Sequence, residues 1–115
     1  MAIAEAYSGS ATISTTEYSL TANSTVLGSI TTDGVYQPIL DLNALTVTET
    51  YEFRIYEKAR AADTQRVAYK ALFTGPLATP IVVMPSVILL HGWEMTMDKI
   101  AGTDRVITWS IRQVA

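Results

Sequence analysis

The chain has one histidine, His91, between Leu90 and Gly92-Trp93. An imidazole there could act as a general base. A lone histidine at a strand end is more often a surface residue or a satisfied core residue. Two carboxylate pairs, Glu52 with Glu57 and Asp98 with Asp104, could be placed across a glycosidic bond. Carboxylates on the outer side of a strand are usually only solvated. Asp98, Asp104 and the carbonyls of the turn between them could hold Ca²⁺, but the dense acidic loop of a strong calcium site is missing. There is no Gly-x-Ser-x-Gly elbow, P-loop, dinucleotide fingerprint or His-Glu-x-x-His motif. The residues therefore point to a non-enzymatic protein with no catalytic residue, metal or cofactor.

The aromatic residues offer a different chemistry. Tyr7, Tyr18, Tyr36, Tyr51, Tyr56, Tyr69, Trp93 and Trp109 could form a platform for sugar rings. Tyr51 and Trp109, however, alternate in phase with apolar neighbours, as core residues do. Tyr56 falls on the polar side of its strand and is the better surface candidate.

These side chains must be held by strands. Tyr51, Phe53 and Ile55 alternate with Glu52, Arg54 and Tyr56, the period of two that marks a half-buried antiparallel strand. Residues 59–64 read as a loop with room for one helical turn, and Gln65 to Phe73 returns as the second arm of a hairpin. Trp93, Met95 and Met97 alternate with Glu94, Thr96 and Asp98, and Ile107, Trp109 and Ile111 share one side of the last strand. The turn Ala101-Gly102-Thr103-Asp104 predicts that these last two strands form another hairpin. Val35 to Leu42 reads as a strand that Pro38 pushes to a sheet edge or a bulge. Ile81 to Leu90 reads as a buried strand, or a pair of strands, with a bulge near Pro85. No stretch has the three-and-four spacing of a long helix. The whole chain, residues 1–115, is expected to be one all-β domain: a compact antiparallel β-sandwich or jelly-roll-like fold of about seven or eight short strands. Residues 1–7 carry no clear pattern and are expected to form an extended arm or to pack on a neighbour.

Composition narrows the class further. Of the 115 residues, 49% are hydrophobic and 17% charged, against about 25% charged in a typical domain. A domain this small hides such an excess poorly, so some apolar surface is expected to meet a partner. No cysteine is present, which excludes a disulfide framework and thiolate metal sites. The opening residues Met1 to Ala6 lack the basic and apolar regions of a signal peptide, so folding in a cytosol is expected. The apolar run from Ile81 to Leu90 is broken by Pro85-Ser86 and is too short for a membrane helix. A net charge of −3 with no basic stripe argues against a nucleic-acid partner. The charge is unevenly spread. Residues 1–50 carry five acids and no Lys or Arg, and residues 51–115 carry every Lys and Arg. If the two halves lay on different faces, subunits would tend to meet head to tail.

Several segments, in order, carry a resemblance. They are Asp33-Gly34-Val35-Tyr36, Leu40-Asp41-Leu42, Phe53-Arg54-Ile55-Tyr56-Glu57-Lys58, His91-Gly92-Trp93, Ile100 to Arg105, and Trp109-Ser110-Ile111-Arg112. From about Ala11 to the C-terminus, the chain resembles small virion structural proteins of tailed bacteriophages, of the capsid decoration (cement) type. The resemblance implies a protein made in the bacterial host cytoplasm and carried on the capsid exterior. There it would bind the phage major capsid protein across coat-subunit seams, as a dimer or trimer. A neck, tail or head-fibre subunit is the nearest alternative, and a sugar-binding module on the virion is another. The contacts expected from the residues are Ile3 and Tyr7 in the N-terminal arm, Pro38 and Pro85 at strand edges, and Tyr56. On this reading, deleting residues 1–7 would weaken partner binding and spare the fold.

Overall fold

The computed structural model describes residues 2–114. Alternating apolar and polar residues set the strands, and β-branched and aromatic residues fill them. Among the described residues there are nine strands: β1 (Ile3–Ile13), β2 (Tyr18–Ser19), β3 (Gly34–Asp41), β4 (Thr50–Glu57), β5 (Arg66–Thr74), β6 (Ile81–Val83), β7 (Val87–Leu89), β8 (Glu94–Ala101) and β9 (Arg105–Val114). They form two antiparallel sheets packed as a sandwich. The first runs β1-β9-β3-β6, with β7 also paired to β3, and the second runs β2-β8-β4-β5. No helix is present among the described residues, and residues 59–64 form turns only.

The core lies between the sheets. Tyr36 and Leu40 of β3 and Ile107, Trp109 and Ile111 of β9 face Tyr51, Phe53 and Ile55 of β4 and Met95 and Met97 of β8, all buried. Trp93, just before β8, is fully enclosed. Its ring meets Tyr7 edge to face at 5.9 Å and Tyr36 at 4.5 Å. Opposite Trp109 stands Gly9, where a β-carbon would come within 2.6 Å of the indole. The missing side chain lets the ring lie across β1.

Three expectations are corrected. From Ile3 on, the segment before Ser8 is not a free arm; Met1 lies outside the described residues. Ile3, Ala4 and Glu5 pair with Val114, Gln113 and Arg112, and after a bulge Tyr7 pairs with Ile111. The pattern is blurred because the bulge shifts the period and small residues replace the large apolar ones. Removing residues 1–7 would strip the ladder from the end of β9 and uncover Trp93. Pro38 is not at an edge. It is buried in β3, between β9 on one side and β6 and β7 on the other. Its carbonyl accepts from the Met84 N–H at 3.0 Å, so its absent N–H points to the break between β6 and β7, where no ladder bond is lost. Finally, β8 and β9 do not form a hairpin. Their turn is a corner between the sheets, with β8 between β2 and β4 and β9 between β1 and β3. Both strands have a strongly apolar side, and these sides meet across the core rather than side by side.

The two differently charged halves of the chain interleave. Acids of the first half pair with cations of the second: Glu17 with Arg54 and Glu49 with Arg105. The asymmetry is spent within the subunit and does not divide its faces.

Candidate partner interface

The outer face of the first sheet can be read from its register. Even-numbered residues of β9 point outward, because Ile107, Trp109 and Ile111 are buried. Their partners share that face. Ile3, Val114, Val35 and Ile88 therefore form one row across β1, β9, β3 and β7. The second row is polar, Glu5–Arg112–Gln37; Ile39 and Val83 lie in the third, and Ile81 beside Asp41 in the fourth. Ile3 is 72% exposed, Ile88 82% and Val83 62%. Between the apolar residues stand hydroxyls: Ser8, Ser10, Thr108 and Ser110. A groove of about 480 Å³ runs along this side, lined by Glu5, Ser8, Ser10, Asp41, Ile81 and Ser110 among others. Glu5 accepts from the Ser110 hydroxyl at 2.6 Å and stands opposite Arg112. The face thus carries exposed apolar residues beside Ser and Thr hydroxyls, Gln37 and the charged Glu5, Arg112 and Asp41.

The buried carboxylates have another use, which the alternation along β4 and β8 does not reveal. Glu52, Glu94 and Asp98 point away from the core, yet all are buried. Residues 19–28 close over Glu94, and Arg54 lies against Glu52 and Asp98. Glu94 accepts from the Ser19 and Thr21 hydroxyls at 2.9 and 2.6 Å and from the Gly28 N–H at 2.9 Å. It fastens that loop to the sheet. Glu57 accepts from the N–H groups of Leu90 and Gly92 at 2.7 and 3.0 Å. Burial alone would raise its pKa, but these backbone donors, with those of Lys58 and His91, hold it below its ordinary value. His91 thus belongs to a turn clipped by Glu57.

Beside them, Arg54 sits among three carboxylates. Its guanidinium meets Glu17 at 3.1 Å and Asp98 at 3.6 Å and pairs with Glu52 through Nε. Burial would raise the Glu17 pKa, but hydrogen bonds from Thr96, Tyr56 and Arg54 outweigh it and hold the group low. Asp98 goes the other way. Its burial, with Glu52 and Glu17 nearby, raises its pKa despite Arg54, and its Oδ1 has no hydrogen-bond donor among the described residues. Asp104 instead pairs with Lys99 at 2.5 Å. No group of three metal-ligating side chains occurs among the described residues.

The structure does not gather the five expected contact residues into one site. Ile3 lies on the apolar outer face. Pro85 is exposed in the gap between β6 and β7. Tyr7 is half-buried against Trp93, and Pro38 is buried. Tyr56 is half-buried, with its hydroxyl donating to Glu17 at 2.6 Å. Sequence reasoning missed Val35, Ile88 and Val83. Their signal was the out-of-phase apolar residues on β3, β6 and β7, legible only once the inward set is known. No helix among the described residues is long and apolar enough to cross a membrane. No family model, curated protein or solved structure matches the chain.

Glu49 gives a pH prediction. Burial would raise its pKa, but the Thr46 N–H at 2.6 Å, the Thr46 hydroxyl and Arg105 at 2.7 Å bring it down from 4.5 to about 2. A depressed folded-state pKa stabilises the fold fully above the unfolded value, and that share is lost as pH falls toward the folded value. The Glu49→Gln protein is therefore expected to be less stable at neutral pH. It should also show a shallower loss of stability between about pH 4.5 and about pH 2. Urea midpoints measured across that window check both.

Proposed function

We propose that this protein is a non-enzymatic virion structural protein of a tailed bacteriophage, a decoration or cement subunit. It binds the major capsid protein on the outside of the head through the outer face of its first sheet. The observation that supports this reading most is the row Ile3–Val114–Val35–Ile88, whose end members are 72% and 82% exposed. A β-sandwich with that much apolar area on one sheet face gains by covering it. A protein that binds the assembled shell, but not separated coat subunits, stabilises the shell by mass action. Many copies per particle multiply a modest contact. A neck, tail or head-fibre subunit would use the same face with fewer copies. The sugar-binding reading is less favoured, because the Tyr56 hydroxyl is taken up by Glu17.

The double variant Ile3→Lys with Ile88→Lys is the test. Both side chains are exposed, so the variant should keep its stability to within about 0.5 kcal/mol. Its co-sedimentation with purified phage heads should fall at least tenfold. Full binding by the variant would reject this face. Copy number, counted by mass spectrometry of purified particles, separates the head from the neck or tail. A number comparable to the coat protein supports decoration, and a handful of copies moves the protein to the neck or tail.

A further inference from the structure

The four lateral edges of the sandwich differ. β2 is two residues long. β6 and β7 have three residues each and are separated by Pro85. β1 is bulged at Ala6 and offers mainly small side chains, Ser8, Gly9 and Ser10. Such features blunt an edge against pairing. β5 is nine residues long, and from Tyr69 to Thr74 it runs in unbroken register with β4. On the side away from β4 it has no neighbouring strand among the described residues.

The direction of its free main-chain groups follows from one bond. The Gly75 N–H donates to the Glu49 carbonyl at 2.9 Å, toward the β4 side. Alternation then turns Phe73, Ala71 and Tyr69 toward β4. Lys70, Leu72 and Thr74 point their N–H and C=O groups outward. Around them Leu72 is 61% exposed, Val67 44% and Tyr69 37%. The strand carries Arg66 and Lys70 and no acid.

We infer that β5 is a self-pairing edge: two copies join β5 to β5 antiparallel across a two-fold axis at Leu72, making one continuous eight-stranded sheet. The register is chosen by charge and size. Centred on Leu72, each Lys70 falls beside Thr74 of the other copy, and the two exposed Leu72 side chains meet. On the inner side each half-buried Phe73 lies against the small Ala71. Centred on Lys70, the two ammonium groups would stand opposite each other, which is unfavourable. Each copy supplies the donors and acceptors at residues 70, 72 and 74 that the other requires, as an isologous contact demands. The contact uses an edge of the second sheet, so it is independent of the capsid reading, which rests on the outer face of the first.

Sedimentation equilibrium of the purified full chain tests it, with an expected mass of twice the 12.5 kDa monomer. The Leu72→Lys variant puts two ammonium groups at the axis and should weaken association by roughly 100-fold. Its thermal unfolding should remain cooperative, because the Leu72 side chain is mostly exposed. The chain has no cysteine, so a Leu72→Cys variant can be cross-linked only through that position. With a short bis-maleimide it should give covalent dimers, and Ser8→Cys on the β1 edge should not. A monomer at the high concentration of an NMR sample, or a dimer unchanged in Leu72→Lys, would overturn the inference.

Discussion

Trp93→Ala is expected to lose about 3–5 kcal/mol of stability, a large part of the roughly 5–15 kcal/mol typical of a domain. The indole is fully enclosed, and three parts of the chain close on it. Tyr7 brings β1, Tyr36 brings β3, and the Thr32 carbonyl accepts the indole N–H at 3.0 Å. The Trp93 backbone is also bonded in both directions to Ile30, at 2.9 and 2.8 Å. Alanine would leave a cavity at the point where the sheets and the long β2–β3 connection meet. It would also leave the Thr32 carbonyl without its donor. Trp93→Phe keeps much of the ring packing and loses the N–H, so its cost should be nearer about 1–3 kcal/mol. Urea unfolding of the three proteins, followed by far-UV circular dichroism, gives the comparison. Equal stabilities for Trp93→Ala and the parent would mean that this junction is not tightly packed.

Arg54→Met is expected to cost about 3–5 kcal/mol near neutral pH. Methionine matches much of the arginine stem but leaves Glu17, Glu52 and Asp98 together with no cation among them. The pH dependence that Glu17 contributes should change sign, while that of Asp98, whose pKa is already raised in the parent, should keep its sign and steepen. In the parent, the depressed Glu17 pKa makes its contribution grow as pH rises through the carboxylate range. Without Arg54 the three carboxylates repel one another, and the folded-state pKa values of Glu17 and Asp98 rise. Ionising them then costs stability as pH increases. The gap between parent and variant should therefore be widest near about pH 7 and should narrow toward about pH 4. Arg54→Lys keeps the charge without the fork and should fall between the two. A gap that stays constant with pH would show that Arg54 acts only through packing.

Much of the sandwich was legible in the residues. The alternation of Tyr51, Phe53 and Ile55 marks β4, and β5 pairs with it as the hairpin signal indicated. The inward set Ile107, Trp109 and Ile111 was equally plain. The candidate interface was only partly legible. Ile3 was singled out and lies on the apolar face, whereas Tyr7, Pro38 and Tyr56 turn inward or are held by neighbours. An apolar residue and a proline look alike in sequence whether they face the core or a partner. Only the register separates the two.

The amino-acid sequence by itself determined the local terms: strand period, turn positions, the absence of thiol chemistry and an apolar content too high for a surface of charges. These depend on neighbours two to four residues apart, so they can be read along the chain. Tertiary structure alone decided which sheet each strand joined. Met95 and Ile107 lie on successive strands, yet they enter the core from different sheets. It also decided that Glu94, Glu52 and Asp98 are buried. Glu94 is covered by residues 19–28, more than 60 positions away in the chain, and Arg54 of β4 meets Asp98 of β8 across the strands. Which side of β5 is left open, and which of the exposed isoleucines and valines stand in one row, follow from the same long-range pairing. A period of two states that a strand has two sides, and only its neighbours determine what each side meets.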